Sequence, residues 1–328
     1  LFRSQHCDGN FPVGMNEDSG HLFDEDAWLR TVTGKRPPDL SNVSQRLASY
    51  GVSAVTDMTP QNDIRVAELL IQQQIEGGLC QDVLMAGTLY PESALPISDK
   101  PSSSLRVGPF KIHLHEARLP DFEVLCDMIH KSHLAQRPIA VHCVTEIELV
   151  FTLAALQETG TLEGDRIEHA SVAPPQLLQQ MKALGVLVVT QPNFILERGD
   201  QYLEDVDACD LSSLYRCESF FRSGIRLAGG TDAPFGQPDP WLAISAAVNR
   251  KTFKGQIVNS AEALSPEQAV ELFMGDIESP GKPRVVAVGE PADLCLLDCR
   301  WGTARTTLTS NRVRATWCGG KLIYNRVD

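Results

Sequence analysis

The sequence predicts an α/β fold: a TIM-like (β/α)8 parallel barrel whose first strand is missing, with a small β-sandwich module at the C-terminus. Three observations predict it. Seven short apolar runs recur along the chain, segments of helical periodicity separate them, and a Pro/Gly-rich passage near residue 280 breaks the rhythm. Strand and helix alternating every ~25–30 residues is the pattern of βα repeats, because a parallel strand is reached only through a crossover.

The runs are SAVTDM (53–58), DVLMAGT (82–88), RVGPFKIHL (106–114), PIAVHC (138–143), RIEHA (166–170), VLVVTQ (186–191) and IRLAGGTD (225–232). They are apolar and often β-branched, as strands buried on both faces are. Between them DIRVAELLIQQQIEGG, LPDFEVLCDMIHKSHLAQ, EIELVFTLAALQETG and PPQLLQQMKALG read as helices, several closing on Gly. A closed barrel takes eight strands, and the first fifty residues, irregular and polar over 1–21, offer no apolar run for another. The chain opens at Leu1 without an initiator Met, which reads as a fragment or a truncated reading frame.

Beyond Asp232, helices are expected over WLAISAAVNRKT and SPEQAVELFMG, the second capped by Ser265. After the break at SPGKPRVVAVGEPAD, ADLCLLD and VRATWCGGKLIYN read as antiparallel strands turning at Gly-Gly. The expected division is therefore a barrel domain over 1–280 and part of a composite β-sandwich over 281–328. SDKPSSS (98–104) reads as a surface loop.

A hydrophobic fraction of 43% with 22% charged residues is that of a globular protein with an ample core. The net charge of −13 argues against nucleic acid or an anionic membrane as partner, since both need clustered Lys and Arg. A small-molecule substrate is expected instead, with a homodimer as the assembly considered. Nine cysteines without a CxxC pair point to a reducing cytoplasm, and no apolar stretch approaches the ~18 residues of a membrane span.

Four residues at the carboxyl ends of the runs carry the chemistry, because those ends converge on one face of a parallel barrel. Lys111 lies inside a strand, where an ammonium is costly unless paired or neutralised. It either snorkels or pairs with Asp57 or Glu116, or its Nζ takes up carbon dioxide to give a metal-bridging carbamate. His113 and His115 alternate with it on the same side of an extended strand. His142 and His169 end successive strands, where neutral imidazole is a usual ligand for zinc, iron or nickel. Asp232 follows a Gly-Gly-Thr turn, and its carboxylate can bind metal and take a proton as general base.

The order Lys, His, His, Asp, with EHAS, GTDAP, SPEQAVELF and VGEPADLCLLD, resembles the amidohydrolase superfamily over residues 47–327. KIHLHEARLPDF and VTQPNF are similar to its family 3 branch, which includes N-substituted formamide deformylase-like enzymes. The resemblance implies a metal-dependent hydrolase barrel joined to a small β-sandwich. It implies hydrolysis of an amide or related C–N bond by metal-activated hydroxide, with Lys111 (carbamylated), His142, His169 and Asp232 holding one or two divalent ions, zinc foremost. Asp232 and His169 would be catalytic, while His113, His115, Gln191, Asn193 and Arg198 would face substrate, the last three from the loop after VLVVTQ. The superfamily's His-x-His pair on strand one has no counterpart here, and neither His6 nor His21 is assigned to it. The alternatives are a truncated or catalytically incompetent scaffold with weak metal binding and, with less support, a phosphate-binding barrel enzyme such as an aldolase.

Overall fold

The structure is a computed structural model that describes residues 12, 14–16, 22, 25–32, 38–88 and 104–327. His6, His21, most of the polar segment over 1–21 and the Pro/Ser stretch except Ser104 lie outside the described residues. The chain divides into two compact units, Leu1–Leu40 and Ser41–Asp328. In the first, Met15 bridges Leu22, the Gly14 N–H donates to Glu25 at 2.7 Å, and α1 spans Asp26–Val32.

The second unit is built on seven parallel strands that pair in sequence order: β1 (Ala54–Asp57), β2 (Asp82–Gly87), β3 (Leu105–His113), β4 (Ile139–Cys143), β5 (Arg166–His169), β6 (Leu187–Thr190) and β7 (Arg226–Gly229). This is an incomplete TIM barrel. Among the described residues β1 and β7 are its outer strands. The helices are α2 (Ser41–Ser49), α3 (Ile64–Glu76), α4 (Phe122–Leu134), α5 (Glu146–Thr159), α6 (Pro175–Leu184), α7 (Asn193–Asp205), α8 (Ala208–Leu211), α9 (Glu218–Ser223), α10 (Pro240–Asn249), α11 (Pro266–Glu271) and α12 (Trp301–Ala304). Their ends follow local chemistry. The Asp63 carboxylate accepts from the Arg65 and Val66 N–H groups at the start of α3, and Gly77, at φ 79°, closes it in the left-handed conformation that a Cβ disfavours. Thr145–Glu148 and Ser265–Gln268 form reciprocal capping boxes on α5 and α11.

Alternation along the strands sorts the core from the lumen. Phe110, Ile112, Ile139, Val141, Ile167 and Val188 point outward and pack with Leu125, Ile129, Leu149, Leu153 and Met181 of the helices. Each such side chain contributes about 1.5–3 kcal/mol on burial. The alternate residues face the lumen: register sets Lys111 beside Ala140 and Ala140 beside Arg166, and one step along it sets His113 beside His142 and His142 beside Glu168. Leu187, Val189 and Ala228 make a small apolar floor on β6 and β7. The Arg137 guanidinium, buried behind β3, donates to the carbonyls of Thr88, Gly108 and Pro109 at 2.6, 2.8 and 3.1 Å. It thereby satisfies backbone where the β2–β3 register shifts.

At the carboxyl end β8 (Leu294–Leu297), β9 (Val313–Cys318) and β10 (Lys321–Asn325) form an antiparallel sheet in the order β10-β9-β8. The β9–β10 hairpin turns through Gly319 and Gly320 at φ 55° and 81°, two successive positive values that favour glycine. The Thr316 hydroxyl donates to Ala48 O at 2.7 Å and ties this sheet to α2.

Three details differ from the sequence expectation. β7 ends at Gly229, because Gly230 and Thr231 turn the chain before Asp232. The strand β3 stops at His113, so His115 does not continue its alternation; it precedes a 3-10 turn, Glu116–Arg118, and is exposed. The segment after β6 is helical from Asn193, which puts Asn193 and Arg198 on α7 and not in a loop. Among the described residues, no helix is long and apolar enough to cross a membrane.

Candidate active site

Three imidazoles meet at the carboxyl ends of β3, β4 and β5. The His113 and His142 rings lie edge to face with centroids 4.3 Å apart, and His142 and His169 do the same at 4.5 Å. Strand register alone accounts for the first contact. The second needs a change of backbone: His169 and Ala170 take φ 73° and 45°, a conformation uncommon for residues other than glycine. The two histidine-bearing ends are held together by Glu148. Its carboxylate, buried at the start of α5, accepts from Glu116 N at 2.8 Å, Val144 N at 2.7 Å and Thr145 N at 3.2 Å.

Burial sets the protonation states. His142 is pushed down to about 2 by burial, with His169 and His113 adding to the effect. His169 is lowered to about 4, again by burial first, with Glu168 opposing it. Both rings are therefore neutral at pH 7, the form that ligates a metal. Burial likewise lowers Lys111, 8% exposed, toward the free amine, although Glu168 counters it. Asp232 is raised to about 6 by burial, with Lys111 pulling the other way. Lys111 and Asp232 each feel the other's charge, and Lys111 acts on both His142 and His169, so the four residues share one electrostatic neighbourhood.

The remaining candidates divide. Gln191 is buried beside His169, with whose ring its side chain interacts, and its Nε2 donates to Val189 O at 3.2 Å. Asn193 and Arg198 turn toward the segment carrying Asp232: Asn193 Nδ2 donates to Thr231 O at 3.0 Å and Arg198 Nη2 to Phe235 O at 2.8 Å. The Arg198 guanidinium also stacks over the Phe194 ring at 4.2 Å. Exposed His115 reaches His142 only as a weak charge contribution.

Sequence reasoning passed over Glu168 and Arg166. Both are buried on the lumen side of β5, with Arg166 Nε 2.6 Å from Glu168 Oε1, unaligned for a hydrogen bond, and Arg166 Nη2 donating to Met58 Sδ at 2.8 Å. Their alternation with Ile167 was the available signal. Glu148 was legible as the fourth residue of a Thr-x-x-Glu capping box.

No group of three or more His, Cys, Asp or Glu among the described residues is arranged to hold a metal ion. The donor set nonetheless fits a divalent ion by type. It offers neutral imidazoles, an amine biased toward its nucleophilic form and a carboxylate.

A parallel β/α half-barrel with Lys, His, His and Asp at its strand ends defines the class. The amidohydrolase family profile matches residues 105–324, and the chain belongs to the amidohydrolase family. It is 24% identical to the "Putative amidohydrolase YtcJ" of Bacillus subtilis (strain 168), over 94% of this chain and 62% of that one. It is also 24% identical to the N-substituted formamide deformylase of Arthrobacter pascens, over 57% of this chain and 36% of that enzyme. Among solved structures, an uncharacterised metal-dependent hydrolase from Pyrococcus furiosus superposes with a TM-score of 0.64 at 22% identity, covering 80% of this chain and 61% of that one. The chain thus spans less than two thirds of the length of these relatives.

Proposed function

We propose that this chain carries the catalytic face of a metal-dependent hydrolase that cleaves an amide or related C–N bond of a small molecule. One observation carries the reading: two imidazoles kept neutral by burial, a lysine biased toward its free amine and an aspartate raised to about 6 share one neighbourhood at the carboxyl ends of parallel strands. Lys111, His142, His169 and Asp232 would hold one or two divalent ions, zinc foremost. Bound there, the ion would polarise a carbonyl and acidify a water.

The chain's own residues divide the remaining work. Lys111 Nζ, as free amine, adds to carbon dioxide and releases a proton to solvent, which turns a neutral buried amine into an anionic ligand. Asp232, titrating near 6, holds a proton at its carboxylate and releases it to the leaving nitrogen, a role that wants a pKa close to the working pH. Gln191, buried beside His169, and His113, stacked on His142, would line the substrate side. The test is metal analysis by plasma emission together with an amide panel, run on this chain and on a version extended upstream. Zinc uptake with turnover in either supports the reading. Zinc uptake without turnover in both leaves a binding scaffold, and no uptake in either defeats it.

A further inference from the structure

Asp232 sits in a conformation that few residues with a Cβ adopt, although Asp enters it more readily than most. Its φ is 53°, in the left-handed region, and such residues persist only where their surroundings over-determine them. The surroundings here are the first two turns of α7. Asn193 Nδ2 donates to Thr231 O at 3.0 Å, one residue before Asp232. Glu197 accepts the Gln237 N–H at 3.1 Å on Oε1 and 3.3 Å on Oε2, and its Oε1 also takes Asn193 Nδ2 at 3.3 Å. Arg198 Nη2 donates to Phe235 O at 2.8 Å while Phe194 supports its guanidinium. The turn itself closes by Gly236 N–H to Asp232 O at 3.0 Å. A Cβ on Gly236 would lie 2.3 Å from both Asn193 Nδ2 and Thr231 O, so helix and loop are in contact with no room for a side chain.

We infer that Asn193, Glu197 and Arg198 form a clamp that positions Asp232, with Glu197 as its hub, and that Glu197 is a positioning residue for the reaction. The functional part rests on the reading of Asp232 as the proton-carrying group. Spacing explains part of this: Asn193 and Glu197, at i and i+4, share one face of α7, while Arg198 reaches Phe235 O from farther round the helix with its longer side chain. Each grips a different peptide of residues 231–237, so the backbone that carries the Asp232 carboxylate is held on both sides. Glu197 itself is not within a residue of any of the four proposed ligands.

The test compares Glu197→Ala with Glu197→Gln, whose amide oxygen can still accept the Gln237 N–H. Hydrogen exchange of residues 231–237 is measured on the full chain, and kcat and KM on whichever version turns over an amide. The expected result is amide exchange at least tenfold faster in Glu197→Ala and near parent in Glu197→Gln. Alongside it, kcat should drop about 10- to 100-fold in the alanine variant while KM stays within twofold, as losses of outer supporting groups do. Parent-like exchange in Glu197→Ala overturns the clamp. Faster exchange with unchanged kcat overturns its positioning role. If no version turns over any amide, the hydrolase reading fails, and the exchange rates alone decide whether the clamp stands.

Discussion

The imidazoles of His142 and His169 meet edge to face at 4.5 Å, although the β4–β5 register pairs His169 with Cys143 and His142 with Glu168. The left-handed backbone at His169 brings the ring across. Two neutral rings and a carboxylate thereby share a space that regular strand geometry would have given to His142 and Glu168 alone.

Acid should destabilise the metal-free fold through these rings. His142 and His169 titrate near 2 and 4 when folded and near 6.5 when unfolded, so below pH 6.5 the unfolded chain binds the extra protons and stability falls as pH falls. Asp232, raised to about 6, works the other way between its unfolded value and 6, because there the folded chain holds the proton. Two groups outweigh one, and the expected net loss from pH 7 to pH 5 is on the order of 2 kcal/mol. Urea denaturation at both pH values checks this, and His142→Phe should reduce the difference.

Lys111→Met should separate folding from function. The substitution removes a buried amine whose charge desolvation disfavours, and is expected to stabilise the metal-free chain by about 1–3 kcal/mol. The same variant should lose zinc uptake. A melting temperature below that of the parent would contradict the first part, and parent-like zinc uptake the second.

Asp232→Asn keeps the shape of the side chain and removes its proton chemistry. Turnover in an active version should fall by about 10²–10⁴-fold, the range for one acid–base group. A change of less than tenfold in kcat would assign the proton transfer to another residue.

Glu148→Ala leaves the N–H groups of Glu116, Val144 and Thr145 without their acceptor. The expected cost is about 2–4 kcal/mol, since each stranded donor forfeits its hydrogen bond in a partly buried site. Chemical denaturation measures it. Near-UV spectra should also change, because the β3 and β4 ends lose their shared anchor.

The sequence by itself determined the seven strands, their parallel order, most helix ends and the hairpin at Gly319–Gly320. These rest on local patterns: apolar runs, helical periodicity and glycines where a Cβ is disfavoured. It also put forward Lys111, His142, His169 and Asp232 as candidates, because residues near the carboxyl ends of parallel barrel strands converge on one face. Tertiary structure alone decided which side chains touch. Arg166 and Glu168 are charged residues in an otherwise ordinary strand, and only the lumen around them makes their burial visible. Asn193 and Arg198 looked like substrate-facing loop residues, yet they lie on α7 and grip residues 231–237, which are distant in sequence. The physical reason is range: periodicity and capping act within a few residues, whereas a ring stacked across two strands or a carboxylate bridging a helix and a loop exists only after the chain has closed on itself.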